Sequence, residues 1–104
     1  MAMKGELDIT KNLKMVEWLK AEIVQSMGAL FKSLINASAE ATADALAAII
    51  ILIYLLGSRV GVPFSALDRE VRHKLKQSLA DAPAEDRWHQ DISALADYLR
   101  YKTR

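Results

Sequence analysis

Three carboxylates have a spacing that could serve a divalent cation. Glu40 and Asp44 are four residues apart within a helical pattern, so they share one helix face, while Glu22 lies on the preceding helical segment. A magnesium-dependent hydrolase built from helices needs several carboxylates on facing helices. Three acids without a repeated motif favour a solvated surface over a metal centre.

Other residue types that could do chemistry are sparse. His73 and His89 are the two histidines, and neither has a second histidine at the helical spacing of a zinc site. Cysteine is absent, which excludes thiolate metal sites, cysteine nucleophiles and a disulfide-built secreted scaffold. The sequence also lacks a glycine-rich phosphate loop and a nucleophile elbow. We therefore expect no metal ligands and no cofactor, and a cytoplasmic protein.

The charge balance gives little indication of a partner. The 104 residues include 14 basic and 13 acidic side chains, for a formal charge of +1. A chain of this length fits one domain of 1–104, and a near-neutral balance argues against DNA binding.

Hydrophobic periodicity predicts two long helices in the first part of the chain. The first runs over 9–35, with Asp8 as its N-cap. The second starts at Ala39 after Ser38 as N-cap and continues to Leu56, because a stretch of this length without a turn signal fits a helix better than a strand. Gly61, followed by a proline, predicts the end of this helix.

Two shorter helices are predicted to follow. The third runs to about Leu79, and the fourth opens at Asp81 to Pro83 in the order of a cap followed by an early proline. The fold class that we expect is therefore all-α, a four-helix bundle.

The second helix carries an apolar run from Ala45 to Leu56, twelve residues long. A bilayer span needs about 20 apolar residues, so we interpret the run as a buried helix and expect no membrane partner. A helix that is apolar nearly all round must be covered on every side. We therefore expect a homodimer that buries residues of this helix, namely Ile49, Ile50, Ile53 and Leu56.

The segment from Lys20 to Gln77 adds a resemblance. Its QSMGALFKSL stretch, its apolar run ending in GSRVGV and the following LDREVRHKLK are similar to the MazG-like branch of the all-α nucleoside triphosphate pyrophosphohydrolases. In that superfamily one helix carries EExxE and the next carries ExxD, and together they hold Mg²⁺ against a triphosphate. The resemblance implies a MazG-like helical bundle related to those enzymes.

The motif positions themselves lack acids. Aligned on Gly28 and Leu30, the resemblance places five uncharged residues in the ligand columns, namely Gln25, Ser26, Ala29, Ala45 and Ala48. It therefore implies a catalytically degenerate relative that acts as a helical assembly or a nucleotide-sensing module, with nucleotide a possible partner.

Two alternatives stay open. One is an active Mg²⁺-dependent pyrophosphohydrolase that uses displaced acids, namely Glu22, Glu40 and Asp44. The other is a protein–protein adaptor whose emptied cleft accepts an apolar partner.

Overall fold

The computed structural model describes residues 4–81 and 83–102, with side chains for 8–81 and 83–100. Four helices make up the described chain: α1 (Lys4–Ile35), α2 (Ala39–Arg59), α3 (Phe64–Asp81) and α4 (Arg87–Lys102). No strand occurs among the described residues. The predicted all-α fold with four helices is confirmed. The helices belong to two compact units, Met1–Phe64 and Ser65–Arg104.

The start of α1 differs from the prediction. Asp8 is not an N-cap, because the helix already begins at Lys4 and Asp8 lies inside it. Its carboxylate still lies near the N-terminal end, where the helix dipole favours negative charge. The prediction was wrong because a capping residue type is also tolerated in the first turns.

The turn between α1 and α2 is closed by backbone hydrogen bonds. The Ser38 N–H donates to the Ser33 carbonyl at 3.2 Å and the Ala37 N–H donates to the Leu34 carbonyl at 3.3 Å. This pairing is a Schellman motif, and it places Ala37 at a positive φ of 54°. Ser38 then caps α2 as predicted, since its hydroxyl accepts from the Ala41 N–H at 3.2 Å.

The end of α2 uses the same motif with a glycine. The Val62 N–H donates to the Gly57 carbonyl at 2.7 Å, and Gly61 has a φ of 93°. The predicted stop at Gly61 is confirmed, although α2 reaches Arg59, three residues beyond Leu56.

The start of α4 also differs from the prediction. The helix begins at Arg87, four residues after Pro83, and the Asp86 carboxylate accepts from the Trp88 N–H at 3.1 Å. Asp86 therefore takes the capping role that the sequence pattern gave to Asp81. Asp81 instead ends α3.

Within the first unit, α1 and α2 form an antiparallel hairpin with a narrow seam. Leu19 is 1% exposed, and Ser33 and Ala45 are each 5% exposed. Ser33 and Thr42 hydroxyl oxygens lie 2.8 Å apart near the turn, and Asn12 Nδ2 donates to the Arg59 carbonyl at 3.1 Å at the far end. Polar contacts therefore hold both ends of a seam whose middle is apolar.

The second helix is not buried within one chain, contrary to the prediction. Ala45 is its one buried residue, Ile49 and Leu56 are half-buried, and Ile50 and Ile53 are exposed. Its 21 residues are long and apolar enough to span a membrane by length and composition, which is weak evidence for a span, and its apolar stretch is 6% buried, unlike the mostly buried core helix of a soluble protein. The apolar run of twelve residues is too short for a span, but the whole helix is not. The absence of a membrane partner therefore stays a prediction.

The two Schellman turns predict a pair of opposite stability changes. Ala37→Gly should stabilise the protein by about 0.5 to 1 kcal/mol, because glycine removes the cost of a left-handed alanine but adds chain entropy to the unfolded state. Gly61→Ala should destabilise by a similar amount, because no atom within 4 Å would clash with the new Cβ and the penalty is conformational. Chemical denaturation of both variants checks the signs; equal signs would contradict the left-handed conformation assigned to one of the two turns.

The seam predicts that Leu19 dominates the core of the hairpin. Leu19→Ala should destabilise by about 2 to 5 kcal/mol, because this fully buried side chain leaves a cavity between α1 and α2. Leu13→Ala is the matched control on the same helix, since Leu13 is 60% exposed, and it should lose less than half as much. Equal losses in urea unfolding would show that the seam is not where the structure places it.

Candidate functional site

The hairpin has two faces, and helix geometry determines which residues share each one. Ser33 and Thr42 face each other across the seam, as their 2.8 Å contact shows. Because α1 and α2 are antiparallel and both right-handed, residues that precede seam residues by one position lie on one side in both helices. Residues that follow by one position lie on the other side. Leu30 and Ala45 are the seam residues from which the faces are assigned.

One side, which we call the small-residue face, carries most of the ligand columns that the resemblance implies. Ala29 precedes Leu30 and Asp44 precedes Ala45, and helical spacing adds four neighbours to the same side. The face consists of Gln25, Ser26, Ala29, Ala41, Asp44 and Ala48.

The structure separates the five predicted column residues. Gln25 and Ala29 are exposed, Ser26 and Ala48 are half-buried, and Ala45 is buried in the seam. A carboxylate at position 45 would lie between two helices without water, which is unfavourable for a charged metal ligand before the metal binds. Position 45 therefore does not fit an acid column.

A register four residues earlier along the chain, about one helical turn, fits better. Ala41 and Asp44 have the spacing of ExxD, and both are exposed on the small-residue face. In this register Asp44 would stand in one column of the motif and Ala41 in the other. Ala41 is not among the predicted column residues. Its spacing of three residues from Asp44 on a helix that Ser38 caps is the signal that places the two side by side.

The displaced acids do not converge. Ser33 and Thr42 lie at the same height along the hairpin. Measured from that height away from the turn, Glu22 lies eleven residues along α1 and Asp44 lies two residues along α2. Nine residues at 1.5 Å per residue separate them by about 14 Å along the helix axis. That distance exceeds any arrangement in which both carboxylates bind one ion.

Glu40 and Asp44 are neighbours on α2, where both are exposed. Among the residues that the structure describes, no group of three or more Asp, Glu, His or Cys side chains could hold a metal ion. The magnesium that the family's motifs imply therefore does not fit the described donor set, since Gln25, Ser26 and Ala29 supply no carboxylate.

The opposite side, which we call the apolar face, carries large hydrophobic side chains. Phe31 follows Leu30 and Leu46 follows Ala45, and helical spacing extends both stripes. Each member is between 42% and 57% exposed in one chain. The face consists of Met27, Phe31, Leu34, Leu46, Ile50 and Ile53. Of the four residues predicted for the dimer contact, Ile50 and Ile53 lie on this face, whereas Ile49 and Leu56 are half-buried outside it. The prediction assigned no α1 residue to that contact.

Comparisons with known proteins agree with the helical architecture. The model of the MazG-like family matches residues 9–92 of the chain, which includes residues of all four helices. Comparison with curated proteins and with solved structures finds no match. The family is related to the nucleoside triphosphate pyrophosphohydrolases, as the resemblance implied. Because the match covers most of the 104 residues, this chain belongs to the MazG-like family.

Proposed function

We propose that this protein is a non-catalytic MazG-like subunit that forms a homodimer through the apolar face of its α1–α2 hairpin. The observation that carries the proposal is the contrast between the two faces. One has six large hydrophobic side chains open to water, and the other has Asp44, with Glu40 one turn away, among small and uncharged residues. A scaffold of this kind assembles but does not hold a cation against a triphosphate.

The apolar face supplies the driving force for pairing. Fully burying a large aliphatic or aromatic side chain is worth about 1.5 to 3 kcal/mol, so covering a half-exposed one contributes roughly 1 kcal/mol. The free energy gained by burying six such residues on each of two copies exceeds the free-energy cost of association only if these side chains pack together. Two antiparallel hairpins that meet face to face would form a four-helix bundle with those residues in its centre.

The small-residue face supports the absence of catalysis through its charge. Pyrophosphate release from a nucleoside triphosphate requires cations beside the phosphates, and those cations require several carboxylates. Alanine offers no oxygen, and the Gln25 amide and the Ser26 hydroxyl bring no negative charge. Nucleotide binding without turnover, which would make the face a sensor, stays part of the proposal.

The first test concerns the dimer. Light scattering at micromolar concentrations should give about twice the chain mass of 11.6 kDa. Ile50→Glu should return the mass to that of one chain, because it places a charge in the centre of the apolar face. Ile51→Glu is the matched control: Ile50 is 56% exposed and Ile51 is 58% exposed, but Ile51 lies outside the apolar face. Its variant should stay dimeric.

Four results would contradict the assembly. A monomeric wild-type protein would remove the dimer, and dissociation by Ile51→Glu alone would assign the interface to another face. A monomer that unfolds on Ile50→Glu would assign the apolar face to a contact inside the chain. The wild-type protein could also co-sediment with lipid vesicles. If both Ile50→Glu and Ile51→Glu abolish that binding, α2 inserts into membranes.

The second test concerns catalysis. We expect no Mg²⁺-dependent pyrophosphate release from the common nucleoside triphosphates above the background of a blank reaction. Turnover that disappears in Asp44→Ala or Glu22→Ala would contradict the proposal and favour the active enzyme with displaced acids.

Restored variants sharpen this test, because the two registers predict different outcomes. The first variant keeps the native Asp44 and should fold and gain thermal stability on addition of Mg²⁺. It combines Gln25→Glu, Ser26→Glu, Ala29→Glu and Ala41→Glu. The same α1 changes combined with Ala45→Glu and Ala48→Asp should lose several kcal/mol of stability, because position 45 is in the seam. If the variant with Ala45→Glu and Ala48→Asp were instead the one that stays stable and is stabilised by Mg²⁺, the acid column would lie at position 45.

A further inference from the structure

The second unit contains a groove that the proposed function does not use. Its volume is about 260 Å³, and side chains of α3 and α4 line it. Its floor is aliphatic and consists of Leu75, Leu79, Ala96 and Leu99. The remaining lining residues are the cations Arg72, Lys76 and Arg100, and no acid lines the groove.

We propose that this groove binds a small amphipathic anion, with a short alkyl chain on the aliphatic floor and a carboxylate or phosphate among the cations. The polar side chains of the lining are lysine and arginine, which donate hydrogen bonds and accept none. A ligand that satisfies them must present acceptors, and one that covers the leucines must be apolar elsewhere. The two requirements together describe an anion with a hydrocarbon body.

Two charges of the groove, those of Arg72 and Lys76, are available to a ligand. Arg100 forms an exposed ion pair with Asp97 at 3.4 Å, which is worth little in water. Within the described part of the chain, neither Arg72 nor Lys76 takes part in an ion pair. An incoming anion therefore does not have to displace an acid from these two side chains.

The size of the groove restricts the ligand. Pockets that enclose drug-sized molecules measure about 300 to 1,000 Å³, and 260 Å³ corresponds to the share of about nine liquid waters. The lining also contains no aromatic ring on which a base could stack and no acceptor for its amino groups. A single short chain fits these limits better than a nucleotide does.

The experiment is an NMR titration of the full chain with sodium octanoate, followed at the amides of α3 and α4. Octanoate should bind at least about tenfold more tightly than octanol, which has the same chain without the charge, and acetate should not bind measurably. Octyl phosphate, titrated in parallel, distinguishes a carboxylate preference from a phosphate preference. Equal affinity for octanoate and octanol would overturn the proposal.

Matched charge variants locate the site. Lys76→Glu should weaken octanoate binding about five- to tenfold, because it replaces an attraction by a repulsion. Lys74→Glu changes the charge of the same helix by the same amount at an exposed position outside the groove, and it should change affinity less than twofold. Lys76→Gln, a milder change, should weaken binding by an intermediate factor. Equal effects of the position 74 and 76 reversals would reduce the observation to net charge and overturn the site.

A filling variant tests the floor. Ala96→Leu adds three carbons inside the groove and should weaken octanoate binding at least about fivefold while leaving the helical circular dichroism unchanged. Unchanged affinity would place the alkyl chain elsewhere and overturn the proposal. A shift of the oligomeric state in Ala96→Leu, with no octanoate binding in the wild-type protein, would instead identify the groove as a contact between copies of the chain. The groove and the apolar face lie in different units, so failure of either proposal is distinguishable from failure of the other.

Discussion

The close approach of α1 and α2 along one narrow seam determines the exposure of the rest of the hairpin. Small residues permit this approach: Ala45 and Ser33 are each 5% exposed, and Ser33 also satisfies its hydroxyl by donating to the Leu30 carbonyl at 2.7 Å. The Thr42 hydroxyl has one proton, which it donates either to Ser33 Oγ at 2.8 Å across the seam or to the Ser38 carbonyl at 2.7 Å. Two helices that meet through so few buried side chains leave most of their surface open on both sides.

This arrangement explains how two faces of different chemistry occur in one hairpin. Residues one position before the seam form the small-residue face, and residues one position after it form the apolar face, so a single step in sequence changes the face. Asp44, Ala45 and Leu46 show the effect: the first is exposed on the small-residue face, the second is buried and the third lies on the apolar face. The first face therefore carries Asp44, with Glu40 one turn away, among small residues, and the second carries the large apolar side chains.

The second unit differs in character. Its most buried residue is Leu75, and the exposed side chains around that leucine are cationic. The groove, with its aliphatic floor and basic rim, is a different chemical environment from the apolar face of the hairpin. The near-neutral total charge of the chain therefore conceals a local cluster of cations at the groove, namely Arg72, Lys76 and Arg100.

Much of the fold follows from local sequence signals, because helix ends depend on a few neighbouring residues. Ser38 and Gly61 act where their residue types predict, since a hydroxyl cap and a left-handed glycine satisfy backbone groups within one turn. Asp8 and Asp81 mislead for the same reason: a capping residue type is necessary but not decisive, and Asp86 competes successfully for the start of α4. The family resemblance also depends on the order of residues and needs no contact between helices.

Which residues meet water was decided by the tertiary structure alone. The periodicity of α2 is apolar nearly all round, so the sequence could not distinguish the seam residue Ala45 from the exposed Ile50, and it assigned an acid column to the position that packs against α1. The register between two helices depends on which small residues allow close approach and on polar contacts between distant positions, such as Asn12 with Arg59. Those contacts join residues 47 positions apart, and local sequence patterns do not encode them.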